Sequence, residues 1–117
     1  MNWMLDKKKA ICPQLCEQIC MNIASGKYQA GERMPSVREM AMEAGVNPNT
    51  VQRAYETLEL QGILYSVRGS GWYIAEDELQ SKKTLERLVE TKTTEYFDAM
   101  RALGFDSEQI KQYVKEW

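Results

Sequence analysis

Histidine is absent from this chain, and proline and cysteine occur only three times each in 117 residues. Without an imidazole there is no His-based triad or general base, and no zinc site of the mixed Cys/His kind. No apolar run approaches the roughly 18 residues of a membrane-spanning helix, so no membrane contact is expected. The stretch Arg68-Gly69-Ser70-Gly71 is too short for a phosphate-binding loop and leads into a strand-like run instead of a helix. The acids Glu76-Asp77-Glu78 read as a solvated connection between domains, not as a paired-carboxylate site. An enzyme, a cofactor and a resident metal are therefore not expected. An odd cysteine count with no signal peptide fits a reducing cytoplasm.

What is present concentrates in Gly45-Val46-Asn47-Pro48-Asn49-Thr50-Val51-Gln52-Arg53-Ala54-Tyr55. Asn47 is a good helix N-cap, because its side-chain oxygen can take an orphaned backbone N–H. Pro48 at the first helical position presets φ where no amide donor is needed. Val51, Ala54, Tyr55 and Leu58 recur at helical spacing and predict an inward face, with Gly62 as the stop. Asn49, Gln52 and Arg53 are left outward near the helix start, with Thr50 beside them. Arginine suits guanine, and asparagine or glutamine suits adenine, through paired hydrogen bonds in the major groove. The segment reads as a recognition helix.

The flanks agree with it. Ser36-Val37-Arg38-Glu39 is a capping box that opens a short helix, roughly 36 to 44, with Val37, Met40 and Ala41 inward. Two short helices joined around Gly45 make a helix-turn-helix. After it, Gly62 to Val67 reads as a β-type run, Arg68-Gly69-Ser70-Gly71 turns, and Trp72-Tyr73-Ile74 returns. Such a hairpin is a wing, and Arg68 at its tip suits the negative potential of a minor groove.

The tail reads as two helices. Leu85, Leu88, Val89, Tyr96, Phe97, Met100 and Leu103 recur at helical steps until Gly104 breaks the run. Ser107 reads as the cap of a second helix, begun by Glu108 and Gln109, with Ile110, Tyr113 and Val114 on one face. Two helices with one apolar stripe each have too little core to stand alone. They are expected to bury that stripe against a second copy, which suits a twofold dimer on a palindromic site. The alternative is that the tail folds back on its own winged domain.

Charge is unevenly spread. Residues 1 to 74 carry a net charge of +1 and residues 75 to 117 a net charge of −3, in line with −2 overall. Arg38, Arg53 and Arg68 fall on the elements that would meet DNA, while many acids fall in the tail. Binding is expected to lean on specific contacts, with a shallow salt dependence. Cys12, Cys16 and Cys20 form a helical stripe beside Leu15, Ile19 and Ile23 and read as packing. A soft ion shared by Cys16 and Cys20 is the alternative. Residues 1 to 6 read as a partly ordered arm, Lys7-Lys8-Lys9 as a solvated run, and Trp3, Trp72 and Trp117 as packing anchors.

From Leu15 to Ile74 these residues resemble the GntR family of bacterial transcription regulators. The resemblance is carried by Leu15, Ile19, Ile23 and Gly26, by Gly31-Glu32-Arg33-Met34-Pro35-Ser36-Val37-Arg38-Glu39-Met40-Ala41, and by the run from Gly45 to Ala54 with Leu58. It ends with Gly62-Ile63-Leu64 and Arg68-Gly69-Ser70-Gly71. It implies a mainly α fold with a small β-hairpin: a winged helix-turn-helix over residues 1–75, followed by a two-helix dimerisation tail over 76–117. By the family pattern Ser36, Arg38, Asn47, Asn49, Thr50, Gln52, Arg53, Arg68 and Gly69 would be the DNA-binding set. Asn47-Pro48-Asn49 stands where Ser-Arg often appears in the family, and Trp72 replaces a smaller residue.

A remainder of this length cannot hold a full ligand-binding domain of about 100–150 residues, nor the aminotransferase-like domain of some relatives. The short tail is similar to that of the YtrA-type subfamily. This implies a homodimeric repressor of operator DNA, often encoded beside genes for an ABC transporter. An unknown small-molecule effector at the junction of tail and wing stays open. So does a second class of function, a protein-interaction module in which DNA binding is secondary.

Overall fold

The computed structural model describes residues 3–117, so Met1 and Asn2 of the expected arm lie outside the described residues. The chain divides into two compact units, the first ending at Leu85 and the second spanning Glu86–Trp117. In order, the elements are α1 (Ile11–Ala24), α2 (Val37–Ala44), α3 (Pro48–Leu60), β1 (Leu64–Val67), β2 (Gly71–Ile74), α4 (Glu78–Ala102) and α5 (Ser107–Glu116). The fold is mostly helical with one two-stranded hairpin, as expected.

In the first unit α3 is the central element, packed against α1, α2 and β1. Its inward positions Val51, Ala54, Tyr55 and Leu58 are all fully buried, and they meet Leu15 and Ile19 of α1 and Met40 of α2 in one core. Fully burying a side chain of this size contributes about 1.5–3 kcal/mol, so this face fixes how α3 is presented. The Tyr55 hydroxyl donates to the Pro35 carbonyl at 2.8 Å, and its ring meets Trp72 edge-on at 5.5 Å between centroids. Trp72 is thus an anchor between helix and wing. Burial pushes the Tyr55 phenol far above its ordinary pKa, and it raises Tyr28 to about 12. Both phenols stay neutral.

The hairpin pairs Leu64 with Ile74 and Val67 with Gly71, antiparallel. A third segment joins it that the sequence pattern did not announce. The Met34 N–H donates to the Trp72 carbonyl at 2.8 Å, the Ile74 N–H to Glu32 at 2.8 Å, and the Gly31 N–H to Ile74 at 2.9 Å. Residues 31–34 therefore cover one edge of β2, with Arg33 bridged to Tyr73.

Two expectations are corrected, the α5 cap and Trp117, and the arm, Lys7 and the acid run carry bonds that the pattern did not announce. The N-terminal arm is tied to α1: Gln18 Nε2 donates to the Met4 carbonyl at 2.5 Å, and Gln14 Oε1 accepts from the Asp6 N–H at 2.7 Å. Lys7 is exposed as expected, and its ammonium also donates to the Gly45 carbonyl. Glu76-Asp77-Glu78 are exposed, as expected of a solvated stretch, and they are bonded in place. Glu76 accepts from the Tyr65 hydroxyl at 3.1 Å, Asp77 accepts from the Leu79 N–H at 2.9 Å, and Glu78 already begins α4. The α5 cap is Asp106, not Ser107: its carboxylate accepts from the Gln109 N–H while Gln109 accepts from the Asp106 N–H, each at 2.8 Å.

The second unit holds most of α4 and all of α5. Within it Ile110 is buried, whereas Val89, Leu103, Tyr113 and Val114 are exposed. Trp117, expected as an anchor, is 95% exposed. No helix among the described residues is long and apolar enough to cross a membrane.

Candidate nucleic-acid interface

The interface is built from two helix starts and a hairpin tip. At the start of α2 the capping box forms as expected: Ser36 Oγ accepts from the Glu39 N–H, and Glu39 accepts from the Ser36 N–H, both at 3.1 Å. The Ser36 backbone bond, and then its hydroxyl, hold the Glu39 carboxyl below its usual range. Arg38 beside it is exposed. This start is a natural phosphate-facing position, because helix N-termini carry partial positive charge.

Gly45 joins α2 to α3 with φ +69°, a left-handed conformation that side-chain-bearing residues rarely adopt. It ends α2 and turns the chain into α3 within two residues. Asn47 then caps α3 by accepting from the Asn49 N–H at 2.8 Å, with Pro48 at the first helical position. The cap commits the Asn47 carbonyl oxygen, which leaves its NH2 for any other contact. Along α3, positions 49, 52, 53 and 56 share the helix face opposite the core residues. Asn49, Arg53 and Glu56 are exposed, and Thr50 and Gln52 are half-buried.

Glu56 was not among the residues singled out from sequence. Its carboxylate accepts from Gln52 Nε2 at 2.8 Å, which pre-orients the Gln52 amide and places an acceptor on the same face. A carboxylate there suits a cytosine amino group and disfavours a phosphate. The i,i+4 spacing of Gln52 and Glu56 was the available signal.

Arg68 and Gly69 are exposed at the wing tip, as expected. What holds the tip was not foreseen. Arg33 Nε and Nη2 both donate to the Ser70 carbonyl, at 3.2 and 3.1 Å, so a guanidinium grips the turn from the neighbouring segment. Gly71 has φ +125°, and a Cβ there would stand 3.4 Å from the Arg33 guanidinium. The wing is braced on its other side by Glu59, which accepts from both the N–H and the hydroxyl of Ser66, at 3.1 and 2.7 Å. A braced tip limits the ordering entropy lost when it enters a groove.

The residues assigned to the dimer do not form a closed core within one chain. Leu85 is the last residue of the first unit and is 45% exposed. Leu88, Phe97 and Met100 are half-buried, while Val89, Tyr96 and Leu103 are exposed. Within the second unit, Tyr96, Met100, Tyr113, Val114 and Trp117 line an open apolar groove of about 490 Å³.

This architecture is that of a winged helix-turn-helix DNA-binding regulator, a class that performs no catalysis. Residues 13–74 match the family described as bacterial regulatory proteins, gntR family, and the chain belongs to that family. Among curated relatives it is 36% identical to YhcF of Bacillus subtilis, an HTH-type transcriptional regulator, over 98% of this chain and 95% of that one. It is 35% identical to YtrA of the same organism, an HTH-type transcriptional repressor, over 91% of this chain and 82% of that one. A GntR family regulator from Listeria monocytogenes superposes with a TM-score of 0.85 at 37% identity, covering 97% of this chain and 99% of that one. The DNA-binding domain of AraR in complex with operator ORX1 matches 64% of this chain and 92% of that one at 30% identity, with a TM-score of 0.55.

Proposed function

We propose that this chain is a homodimeric repressor that reads a palindromic operator, with residues 1–75 as the DNA-binding domain and 76–117 as the dimerisation tail. The observation that carries the reading is the partition of α3. Its apolar positions are sealed at 0% exposure, while Asn49, Gln52, Arg53 and Glu56 form an outward polar face beside a braced wing. In this reading Gln52 and Arg53 contact base edges in the major groove, with Asn47, Asn49 and Thr50 around them. Ser36 and Arg38 meet phosphates, and Arg68 and Gly69 enter the minor groove.

Two copies would join through Leu85, Leu88, Val89, Tyr96, Phe97, Met100 and Leu103, placing two α3 helices on half-sites about one helical turn apart. The repressor role is supported by the likeness to YtrA, and control of a transporter-type operon follows the same subfamily resemblance. No cofactor is invoked, and any effector would act on this dimer. The test is transcription in vitro from a promoter bearing an operator recovered by selection. Falling transcript with two bound copies per duplex supports the reading; rising transcript, or one copy per duplex at saturation, contradicts it.

A further inference from the structure

The cysteine stripe on α1 is left unused by the DNA-binding reading. The three thiols are not joined in disulfides. Cys12 lies in the first turn of α1 and, like Cys16, is half-buried, whereas Cys20 is 8% exposed and belongs to the core. Cys12 and Cys16 stand one turn apart on α1, and burial, then its neighbour Cys12, raises the Cys16 pKa to about 12. Cys16 also donates to the Ala54 carbonyl of α3, with sulfur and oxygen 3.6 Å apart. One member of the pair thus rests against the backbone of the recognition helix.

The helix decides what such a pair can do. Cβ atoms at i,i+4 stand about 5–6 Å apart, too far for a disulfide, which needs about 3.5–4.5 Å. A bridging atom relaxes that limit, since two metal–sulfur bonds of about 2.3 Å span up to about 4.6 Å between sulfurs. Soft thiolates select soft ions. Among the described residues no three candidate ligands converge, so the site offers two sulfurs and suits an ion content with two ligands.

We propose that Cys12 and Cys16 form a two-thiol site for a soft, thiophilic metal ion of low coordination number, the class of Cu(I) and Hg(II), and that its occupancy disturbs α3. Two metal–sulfur bonds form, two S–H bonds break, and both protons go to solvent with no change of oxidation state. Loading removes the proton that Cys16 gives to Ala54 and puts a heavy atom against α3 between Arg53 and Tyr55. The ion-binding half stands on the thiols alone; the consequence for DNA rests on the function proposed above.

The experiment is anaerobic titration of the full chain with Hg(II) in a large excess of a monothiol, read by native mass spectrometry and thiolate-to-metal absorption. One ion per chain should survive the competitor, be lost in Cys12→Ser and in Cys16→Ser, and persist in Cys20→Ser. Cys12→Ser, at a half-exposed position in the first turn, keeps the test independent of folding. Stripping of the ion by the monothiol, or retention in Cys12→Ser, overturns the site. With the selected operator, loading should weaken binding within the roughly 5–150-fold range of ordinary allosteric coupling, and not in Cys12→Ser. Unchanged affinity overturns the coupling to α3. Failure of the ion-free protein to bind any operator overturns the DNA reading instead, and ion stoichiometry alone then judges the site.

Discussion

The two units of this chain solve the same problem in opposite ways. In the first, three helices and a hairpin bury Leu15, Ile19, Met40, Val51, Tyr55, Leu58, Leu64 and Ile74 at 2% exposure or less. In the second, Ile110 alone is buried to that degree among the described residues, while Val89, Leu103, Val114 and Trp117 stand at 57%, 73%, 50% and 95%. The first unit is self-sufficient in apolar contacts. The second leaves several large apolar side chains open, as the proposed interaction with a second copy would require. A scaffold that must present α3 accurately gains from a closed core, and an element that pairs with a second copy must leave its apolar face open.

The largest expected break in this contrast is deletion of residues 86–117. On the proposed dimer, loss of the link between two half-sites removes a gain in affinity of about 10²–10⁴-fold, read by anisotropy on the palindromic operator. The shortened chain should keep cooperative thermal unfolding, because its core is complete. Operator binding as tight as that of the full chain would mean that the tail does not join the two copies.

Next comes a matched pair of truncations. Leu58→Ala opens a cavity in a sealed core and should cost about 2–5 kcal/mol in urea unfolding. Val114→Ala, on the open face, should change monomer stability by no more than about 0.5 kcal/mol while weakening self-association in sedimentation. Equal costs at both sites would erase the distinction between the units.

A smaller effect is expected on the reading face. Gln52→Ala and Arg53→Ala should each cost about 1–3 kcal/mol of operator affinity and relax preference at one base position. Stability should hold, since both side chains lie off the core. Glu56→Gln sharpens the assignment further: the acceptor that orients Gln52 is weakened, and preference should shift at the position Gln52 reads.

The sequence carried local chemistry well and long-range pairing poorly. Ser36, Glu39, Asn47 and Pro48 announced two helix starts, because caps are decided by residues within one turn. The hairpin was legible from Gly69, Gly71 and the β-type runs beside them. The edge segment at residues 31–34 was not, since its partners Trp72 and Ile74 lie some forty residues on (Met34 N–H to the Trp72 carbonyl, for example) and no pattern links them. The role of Arg33, which braces the wing, was hidden for the same reason. The polar first turns of α4, Glu78 to Thr84, hid its start because they show no apolar period, although Thr84 is buried. The Asp106 cap was legible in principle: Gln109 stands three residues on, the spacing of a capping box. The tie between Gln14, Gln18 and the arm rests on amide geometry that composition does not encode.

The smallest effect belongs to the capping box. Ser36→Ala should cost about 0.5–2 kcal/mol in thermal or urea unfolding. Glu39 adds a sign: its folded pKa is depressed by Ser36, so the unfolded chain binds the proton more readily. Its contribution is present above the unfolded carboxyl pKa and is lost as pH falls through the folded one. Ser36→Ala keeps the backbone N–H that is the main cause and removes only the hydroxyl, so it should flatten the acid limb of the stability profile in part; an unchanged limb would show that the hydroxyl contributes nothing to it.

The most direct test of the central claim is selection of duplexes from a random pool by the purified full chain at a stated salt concentration. A consensus with twofold symmetry, its half-sites about one helical turn apart, is the expected result. An asymmetric single half-site, or no enrichment over the starting pool, would contradict a dimer that reads DNA through α3 and the wing.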